Sequence, residues 1–314
     1  MNDLLRREDG NEIGEAVGAW IAALGLGSSV KMGGLELVPL VSRRAGGVAD
    51  LLAHQALAGG GLEVVEKDGG VVQQLLALSR SPAPILILEG ETLLGAKQNR
   101  MVAHTVVVGP GMKVEIPVGC MERGRWHARS AGFDAGDSFT TWYMRRDAKK
   151  DVMAARKRGS APSVEQSRLW SQVDQELVRA DVASETADYG VVMACRGRET
   201  ERLRELRPLA DQVGVLVLHE GHLVAMEVVG HPTTWAHLFP RVLASLVPAA
   251  EQARGRRRRG SGEWMGAIRD AALRLTERPA IGVGRDVELE TRHLIGSGVW
   301  MGDRMAHLSV YAPA

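Results

Sequence analysis

The spacing of apolar residues indicates an amphipathic helix near the N-terminus. Between residues 11 and 25 the apolar positions recur three and four residues apart, which places them on one helix face: Ile13, Ala16, Val17, Trp20, Ile21 and Leu24. Two interpretations of this face stay open. It packs on its own domain, or it contacts a partner or a second copy of the chain.

A different pattern runs from Leu35 to Val118, where short apolar runs alternate with turns rich in Gly, Pro and Ser. The runs read LELVPLV, LEVVE, VVQQLLAL, PILILEG, HTVVV and MKVEIPV. The last run alternates almost strictly, so Val114 and Ile116 share one strand face. Short strands with a turn about every ten residues predict an antiparallel β-sandwich or half-barrel.

After Trp126 the pattern becomes helical. Residues 144–158 hold seven Lys or Arg against two Asp, which predicts a helix whose charges face solvent. Ser163 and Gln166 predict a capping box at the start of the next helix. A further helix is expected over 198–207, where a proline ends it.

Two hairpins and two helices complete the predicted elements. The runs VGVLVLH and HLVAMEVVG, joined by a Glu-Gly turn, predict a β-hairpin. One helix is expected over 235–246, where Pro240 must kink the helix or begin its regular part, and another starts after Ser261. Residues 296–298, Gly-Ser-Gly, separate the last two apolar runs and predict a C-terminal hairpin.

The order of these elements predicts an α+β protein. Its N-terminal half is an antiparallel β-sandwich-like or half-barrel structure, and helices with a β-hairpin and a C-terminal hairpin follow. We expect an N-terminal amphipathic helix over residues 1–30, a β-rich part carrying the polar motifs over 31–128, and an α+β part over 129–314. The last two parts are expected to pack as one domain.

Composition and charge narrow the class of protein. The chain has 314 residues, 45% of them apolar and 25% charged, which is typical of a soluble globular protein and excludes disordered and fibrous classes. Its 39 Lys and Arg nearly balance 38 Asp and Glu, so an electrostatic partner requires a local patch. The absence of a disulfide framework, signal peptide and apolar membrane span predicts a cytoplasmic protein without a membrane partner.

The densest polar segment extends from Glu89 to Arg100, between two apolar strands. Its two carboxylates, Lys97, Gln98, Asn99 and a guanidinium cannot all be buried without partners, so they line a wet cleft or form a closed hydrogen-bond network. The Gln-Asn-Arg run offers planar amides and a guanidinium, which suit phosphate, ribose or base edges. The alternative is a polar network that only fixes the turn.

A second polar segment, residues 117–127, follows the alternating strand. Cys120 and Glu122 lie two residues apart and share a face in extended chain. A thiol needs a neighbouring base or cation to become a nucleophile, and the histidines considered for that role are His104, His127 and His307. The alternative is that Cys120 is a small core residue.

Three other motifs give weaker evidence of a functional site. His219-Glu220-Gly221-His222 lacks the spacing of a His-Glu-x-x-His zinc helix, so no metal site is predicted. No Gly-rich phosphate loop precedes a helix in the required context. The arginine run is predicted to contact phosphate or, alternatively, to form a solvated loop, and it comprises Arg256, Arg257, Arg258 and Arg259.

Five longer strings follow one another along the chain: GLELVPL, ILEGETLLGAKQNR, IPVGCMERGRW, QVGVLVLHEGHLVAMEV and AHLSVY. With them the chain resembles, over about residues 34–311, a prokaryotic domain family named for its association with ADP-ribosylglycohydrolase and rhodanese/phosphatase-superfamily proteins. The resemblance implies a role near ADP-ribose, NAD-derived metabolites or phosphorylated nucleotides, in conflict or repair systems. It implies no assigned reaction. This chain has Glu89-Gly90-Glu91 where Asp-Gly-Glu is expected, and an arginine insertion over 254–259.

Matched position by position, the family's characteristic polar residues fall on Glu89, Glu91, Lys97, Gln98, Asn99, Arg100, Cys120, Glu122, Arg125, Trp126, His307 and Ser309. Our leading hypothesis is a nucleotide-related enzyme or ligand-binding domain whose cleft forms between residues 89–100 and 117–127. In it, Arg100 and Lys97 hold phosphate, and Gln98 and Asn99 orient sugar or base.

In the same hypothesis a glutamate acts as general base. The catalytic candidates are Glu91, Glu122 and Cys120, and the ligand-binding candidates are Glu89, Lys97, Gln98, Asn99, Arg100, Arg125, Trp126 and His307. No cofactor is identified, and a homo-oligomer stays open. The competing hypotheses are a non-catalytic module, which binds a protein or nucleic acid through the N-terminal helix and the basic segments, and a purely architectural role for the motifs.

Overall fold

The computed structural model combines helices with mostly antiparallel strands. It describes residues 9–42, 49–67, 72–125, 127–196, 203, 205–248, 250–253 and 258–313. The helices in these ranges are α1 (Asp9–Ala22), α2 (Ala53–Ala58), α3 (Trp142–Lys157), α4 (Gln166–Arg179), α5 (Tyr189–Cys195), α6 (Pro232–Leu246) and α7 (Ser261–Ala272). No described helix has the length and apolar character needed to span a membrane.

The strands in these described ranges belong to three sheets. They are β1 (Gly25–Leu26), β2 (Val30–Met32), β3 (Leu35–Val41), β4 (Leu51–Leu52), β5 (Leu62–Glu66), β6 (Gln74–Ser79), β7 (Ile85–Ile87), β8 (Glu91–Gly95), β9 (Arg100–Val102), β10 (Val106–Val108), β11 (Lys113–Cys120), β12 (Phe133–Phe139), β13 (Gln212–His219), β14 (His222–Val229), β15 (Thr276–Pro279), β16 (Arg285–Glu290), β17 (Ile295–Met301) and β18 (Arg304–Tyr311).

The large sheet has the order β1-β3-β13-β14-β18-β17-β16-β15, with β2 also paired to β3. Its central strands are buried on both faces because both faces are covered. Val17 and Ile21 of α1 pack on one face together with Trp264 and Ile268 of α7. The predicted N-terminal helix is therefore confirmed, and its apolar stripe packs on this sheet.

The half-barrel is a six-stranded sheet with the order β12-β8-β9-β11-β6-β5. An isolated bridge between Val65 and Gly132 draws its two ends together. Its interior is filled by aliphatic side chains such as Val64, Ile116 and Val118, which are the inward positions of the predicted alternation. The small sheet β10-β7-β4 and helix α2 pack on the same core. The prediction of an α+β protein with an antiparallel half-barrel is confirmed.

Helix α3 lies between the half-barrel and the large sheet, and here a prediction was wrong. We expected the charges of residues 144–158 to face solvent, but Arg145 and Lys149 are fully buried. Burial of these two cations is stable because carboxylates from distant parts of the chain pair with them, namely Glu89 and Glu227. The sequence pattern shows the charges of a helix but not the partners that other elements supply.

Several boundaries also differ from the expectation. Helix α4 begins at Gln166 after Glu165 as N-cap, so Ser163 forms no capping box. Strand β12 precedes α3 in a region where we expected only helices. Helix α6 begins at Pro232, and Pro240 lies inside it. The helix expected over 198–207 falls mostly outside the described residues.

The hairpin of β13 and β14 is confirmed, with its turn at Glu220 and Gly221. The C-terminal hairpin is formed by β17 and β18, but residues 296–298 lie inside β17 and not in a turn. A Cβ atom at Gly298 would lie 2.2 Å from the carbonyl oxygen of His307. Glycine is needed there because β18 approaches closely, which is a strand role that the sequence pattern did not distinguish from a turn.

Candidate functional site

Arg100 connects the two predicted polar segments at one end of the half-barrel. It pairs with Leu93 of β8 on one side and with Cys120 of β11 on the other, so their side chains share a sheet face. Its Nη1 donates hydrogen bonds to Gln98 Oε1 and to Cys120 Sγ, each at 2.8 Å. Its Nη2 lies 3.5 Å from Oε1 of Glu66, the last residue of β5.

We call Glu66, Gln98, Arg100 and Cys120 the mouth cluster, because they lie where β5, β9 and β11 end or begin. Gln98, Arg100 and Cys120 are buried. Among the described residues, Gln98 Nε2 and Arg100 Nε are enclosed without a hydrogen-bond partner, and Glu66 Oε1 has only its 3.5 Å ion pair with Arg100. Such atoms are uncommon, because buried polar atoms in native proteins nearly always have a partner.

The thiol of the mouth cluster is neutral. Burial raises the pKa of Cys120, and Glu66 raises it further, while Arg100 opposes both. A thiol with a raised pKa is a weak nucleophile. None of the three histidines considered as its base contacts it among the described residues: His104 pairs with Asp286, His307 with Glu227 and Thr105, and the side chain of His127 is exposed.

Glu122 is separated from Cys120 and fixes the turn between β8 and β9. Arg125 donates to Glu122 through Nε at 2.8 Å and to the carbonyl oxygen of Ala96 at 2.6 Å. Burial alone would raise the pKa of Glu122, but hydrogen bonds from Arg125, Thr186 and the amide of Asn99 lower it overall. Its carboxylate is therefore held ionised by internal donors.

A cavity of about 290 Å³ adjoins these residues. It lies between strands β8, β9 and β12 and helix α5, and its described lining is Thr92, Leu94, Asn99, Arg100, Met121, Gly136, Asp137, Ser138, Tyr189, Gly190, Met193 and Ala194. Asn99 is held in place because its Nδ2 donates to Asp188 Oδ1 at 3.0 Å. Asn99 and Arg100 are the two predicted site residues that line the cavity.

The outer wall of the cavity is a bulge in β12. The pairing of β12 with β8 shifts between Ala135 and Phe139, and residues 136–138 of that interval line the cavity. Arg241 of α6 donates to the carbonyl oxygens of Gly136, at 2.8 Å, and Asp137, at 3.3 Å. The sequence gives no signal for Arg241, whose contacts are 104 and 105 residues away along the chain.

Glu91 and His54 hold the side chain of Arg241 in position. Arg241 Nη1 lies 3.1 Å from Glu91 Oε1 and 2.8 Å from His54 Nδ1. Burial raises the pKa of Glu91, although Arg241 and the amide of Leu88 favour its carboxylate. Burial, with Arg241 and His237, lowers the pKa of His54 to about 4, so His54 is a neutral acceptor at physiological pH.

Two predicted ligand-binding residues lie elsewhere, in what we call the interlayer cluster. It joins the half-barrel, α3 and the large sheet and comprises Glu89, Arg145, Lys149, Glu227, His307 and Ser309. Lys149 Nζ lies 2.5 Å from Glu89, Arg145 lies 2.6 Å from Glu227, and His307 lies 2.7 Å from the same glutamate. These side chains pair with one another, although Arg145 Nε and Glu227 Oε2 have no hydrogen-bond partner among the described residues.

The remaining predicted residues are scattered. Lys97 is exposed, and Trp126 lies outside the described residues, as do Arg256 and Arg257. Arg258 contacts Glu220 and His222, and Arg259 lies over the ring of Trp264. Within the described ranges, no group of His, Cys, Asp and Glu has the arrangement of a metal site.

Together these features define an α+β protein in which a half-barrel docks on a large antiparallel sheet and carries a small polar cavity at its motif strands. The chain belongs to the ARG and Rhodanese-Phosphatase-superfamily-associated Protein domain family, ARPP-1, whose model matches residues 23–311. The family resemblance of the sequence is thereby confirmed. No curated protein and no solved structure matches the chain.

Proposed function

We propose that this chain binds a nucleotide-derived small molecule, of the ADP-ribose, NAD-derived or phosphorylated nucleotide class, in the cavity beside Asn99 and Arg100. The observation that carries the proposal is that two buried polar residues of the family's KQNR string line this cavity. The family's association with ADP-ribosylglycohydrolase supports the ligand class. A volume of about 290 Å³ suits one portion of such a ligand, because pockets that enclose whole drug-sized molecules measure about 300–1,000 Å³.

The chemistry of the lining supports a ligand with a ring and polar edges. Leu94, Met121 and Met193 offer apolar surface, and thioethers pack well against aromatic rings. Asn99 and Ser138 add polar groups that orient a ligand by hydrogen bonds.

The proposal concerns binding and includes no chemical step. Glu91, Glu122 and Cys120 are not among the described residues that line the cavity. Glu91 and Glu122 instead receive hydrogen bonds from Arg241 and Arg125. Their catalytic roles, and that of Cys120, stay predictions.

Filling the cavity tests the proposal. Ala194 is exposed at the rim on α5, so Ala194→Trp inserts an indole while leaving the polar network in place. Isothermal titration calorimetry with ADP-ribose, NAD and AMP is expected to detect binding to the wild type and at least a tenfold loss, about 1.4 kcal/mol, in the variant.

The matched control is Val178→Trp, which places the same side chain on an exposed position of α4 outside the cavity lining. This variant is expected to bind like the wild type. The proposal is wrong if no compound of the panel binds the wild type, or if Ala194→Trp keeps wild-type affinity.

A further inference from the structure

Resting on the proposed function, we infer that two hydrogen-bonded pairs fix helix α5 as the wall of the cavity and so set how tightly the cavity holds its ligand. The pairs are Glu122 with Thr186 and Asn99 with Asp188, and we call them the α5 clasp. The inference assigns a role to Thr186, a residue outside both predicted polar segments. It also makes Glu122 a positioning residue, a role distinct from the general base considered from the sequence.

Helix α5 is the short wall of the cavity. It has seven residues, and those that line the cavity are Tyr189, Gly190, Met193 and Ala194. A helix of this length has little stability of its own, because isolated helices shorter than about 12–15 residues are marginal in water. Packing holds its far side, where Val192 is fully buried in the core. The position of the wall therefore depends on tertiary contacts.

The two predicted polar segments supply the side-chain contacts at the N-terminal end of α5. Thr186 Oγ1 donates to Glu122 Oε1 at 3.0 Å, and Asn99 Nδ2 donates to Asp188 Oδ1 at 3.0 Å. Asp188 is also the N-cap of α5, since the same Oδ1 accepts a hydrogen bond from the amide of Gly190 at 2.8 Å. The carboxylate of Asp188 thus joins the side chain of Asn99 to the first turn of the wall.

Backbone hydrogen bonds support the same segment. The amides of Arg123 and Gly124 donate to the carbonyl oxygen of Thr186 at 3.0 and 2.9 Å, and the amide of Tyr189 donates to that of Met121 at 3.0 Å. These bonds stay in place when a side chain of the clasp is replaced. Loss of one clasp contact is therefore expected to loosen the wall and not to detach it.

Glu122 is a firm anchor for the clasp. Its carboxylate also accepts hydrogen bonds from Arg125 Nε at 2.8 Å and from the amide of Asn99 at 3.3 Å. Burial alone would raise the pKa of Glu122, but its hydrogen bonds lower the pKa overall. A bond to an ionised acceptor is stronger than one to a neutral acceptor. The wall is thus held before a ligand arrives, and a preformed site binds more tightly because less ordering accompanies binding.

Amide hydrogen exchange tests the clasp without any ligand. Thr186→Val removes the hydroxyl and keeps the shape of the side chain, so exchange in residues 190–195 is expected to accelerate about tenfold. Thr186→Ser keeps a hydroxyl and is expected to restore the wild-type rate. Thr186→Ala removes the hydroxyl without a second methyl group at its place, and it serves if Thr186→Val does not fold.

The matched control is Thr291→Val. Thr291 Oγ1 accepts a hydrogen bond from the amide of Leu294 at 3.0 Å, and neither residue is among the described residues that line the cavity. This variant also loses a hydroxyl, so its melting temperature is expected to fall. Exchange in residues 190–195 is expected to stay as in the wild type.

Calorimetric titration with ADP-ribose, NAD and AMP tests the consequence for binding. A compound that binds the wild type is expected to bind Thr186→Val about tenfold more weakly, and to bind Thr186→Ser and Thr291→Val like the wild type. Binding and ordering of the wall are linked reciprocally, so a saturating ligand is expected to slow exchange in residues 190–195 of the wild type. A merely structural role would lower the melting temperature without this pattern of loss and rescue.

The outcomes separate the two proposals. If no compound binds the wild type, the proposed function is wrong, and the exchange rates alone decide whether the clasp holds α5. If a compound binds and the folded Thr186→Val protein keeps the wild-type exchange rate or affinity, the proposed function stands and the inference is wrong. The inference is also wrong if Thr186→Ser behaves like Thr186→Val, or if Thr291→Val accelerates exchange in residues 190–195 to the same extent.

Discussion

Cys120 shows how burial and a neighbouring cation compete at a single residue. Its Sγ lies 2.8 Å from Arg100 Nη1, a contact that favours a thiolate. Burial outweighs this contact, because the same guanidinium is shared with Glu66, and the pKa of the thiol is raised. Contact with arginine therefore does not by itself make a cysteine reactive.

The accessible thiols of the folded protein test this balance. Cys195 is exposed, whereas Cys120 is buried with a raised pKa, so a disulfide reagent at pH 8 is expected to modify one thiol per folded chain and two in denaturant. The Cys195→Ser variant is expected to show no rapid reaction until it is unfolded. Rapid modification of the folded Cys195→Ser protein would contradict the assignment of Cys120 as a neutral, enclosed thiol.

Part of the mouth cluster was predictable from the sequence. The alternation of residues 112–118 correctly predicts strand β11, which continues to Cys120, and in the Gln-Asn-Arg run Arg100 donates a hydrogen bond to Gln98. The expectation that Cys120 and Glu122 share a strand face does not hold, because β11 ends at Cys120 and Glu122 instead forms an isolated bridge with Asp188. Extended geometry applies only while the strand continues.

At the scale of elements, the bulge in β12 determines the shape of the cavity. A Cβ atom at Gly136 would lie 2.0 Å from Thr92 Oγ1, so glycine allows β12 to approach β8 at the bulge. Arg241 holds the carbonyl oxygens of Gly136 and Asp137, and Glu91 orients the guanidinium. Arg241 is thus a positioning residue for the cavity wall.

Replacing Arg241 by lysine tests this role. Lysine keeps a positive charge near Glu91 but lacks the planar fork that reaches two carbonyl oxygens, so amide hydrogen exchange in residues 136–139 is expected to accelerate about tenfold. Because this measurement needs no ligand, it is independent of the proposed function. Ligand affinity, where binding is detected, is expected to fall in parallel.

The control for this prediction is Arg304→Lys, which weakens a comparable two-pronged pair with Asp50 away from the cavity. It is expected to lower the melting temperature without changing exchange in residues 136–139. Equal exchange in the two variants would mean that Arg241 contributes only to general stability.

Sequence patterns predicted some strands and missed others for a physical reason. β5, β6 and β11 have an apolar face toward the core of the half-barrel, and this alternation identifies them. β9 and β12 were missed. β9 carries a buried arginine, and the FDAGDSF run of β12 has exposed polar residues and a bulge. Their strand character depends on partners supplied by the tertiary structure.

At the scale of the whole molecule, the net charge of +1 conceals charges that join the layers. Lys149 of α3 pairs with Glu89 beside the half-barrel, and Arg145 pairs with Glu227 of the large sheet. These contacts span 60 and 82 residues of sequence. The basic composition of this helix was evident from the sequence, but its burial depended on this long-range pairing.

The interlayer cluster makes stability depend on pH in a defined range. Burial alone would raise the pKa of Glu89, but Lys149, Arg145 and His307 together lower it from 4.5 to about 2. A carboxyl group whose pKa is lower in the folded state stabilises the fold fully above its unfolded pKa, and this contribution is lost as the pH falls from 4.5 toward about 2.

Glu89→Gln tests this contribution. Because it leaves Lys149 buried without its carboxylate, the free energy of unfolding in urea is expected to fall by about 3–5 kcal/mol at pH 7. The loss is expected to shrink steadily between pH 4.5 and about 2, where the wild-type carboxylate is itself protonated.

Ser309→Ala, which removes only one hydrogen bond to Glu89, gives a milder version with a loss of about 1–3 kcal/mol if the first variant does not fold. Glu63→Gln, in an exposed pair, is expected to cost at most about 1 kcal/mol. A pH-independent loss in Glu89→Gln would show that Glu89 acts through packing and not through its charge.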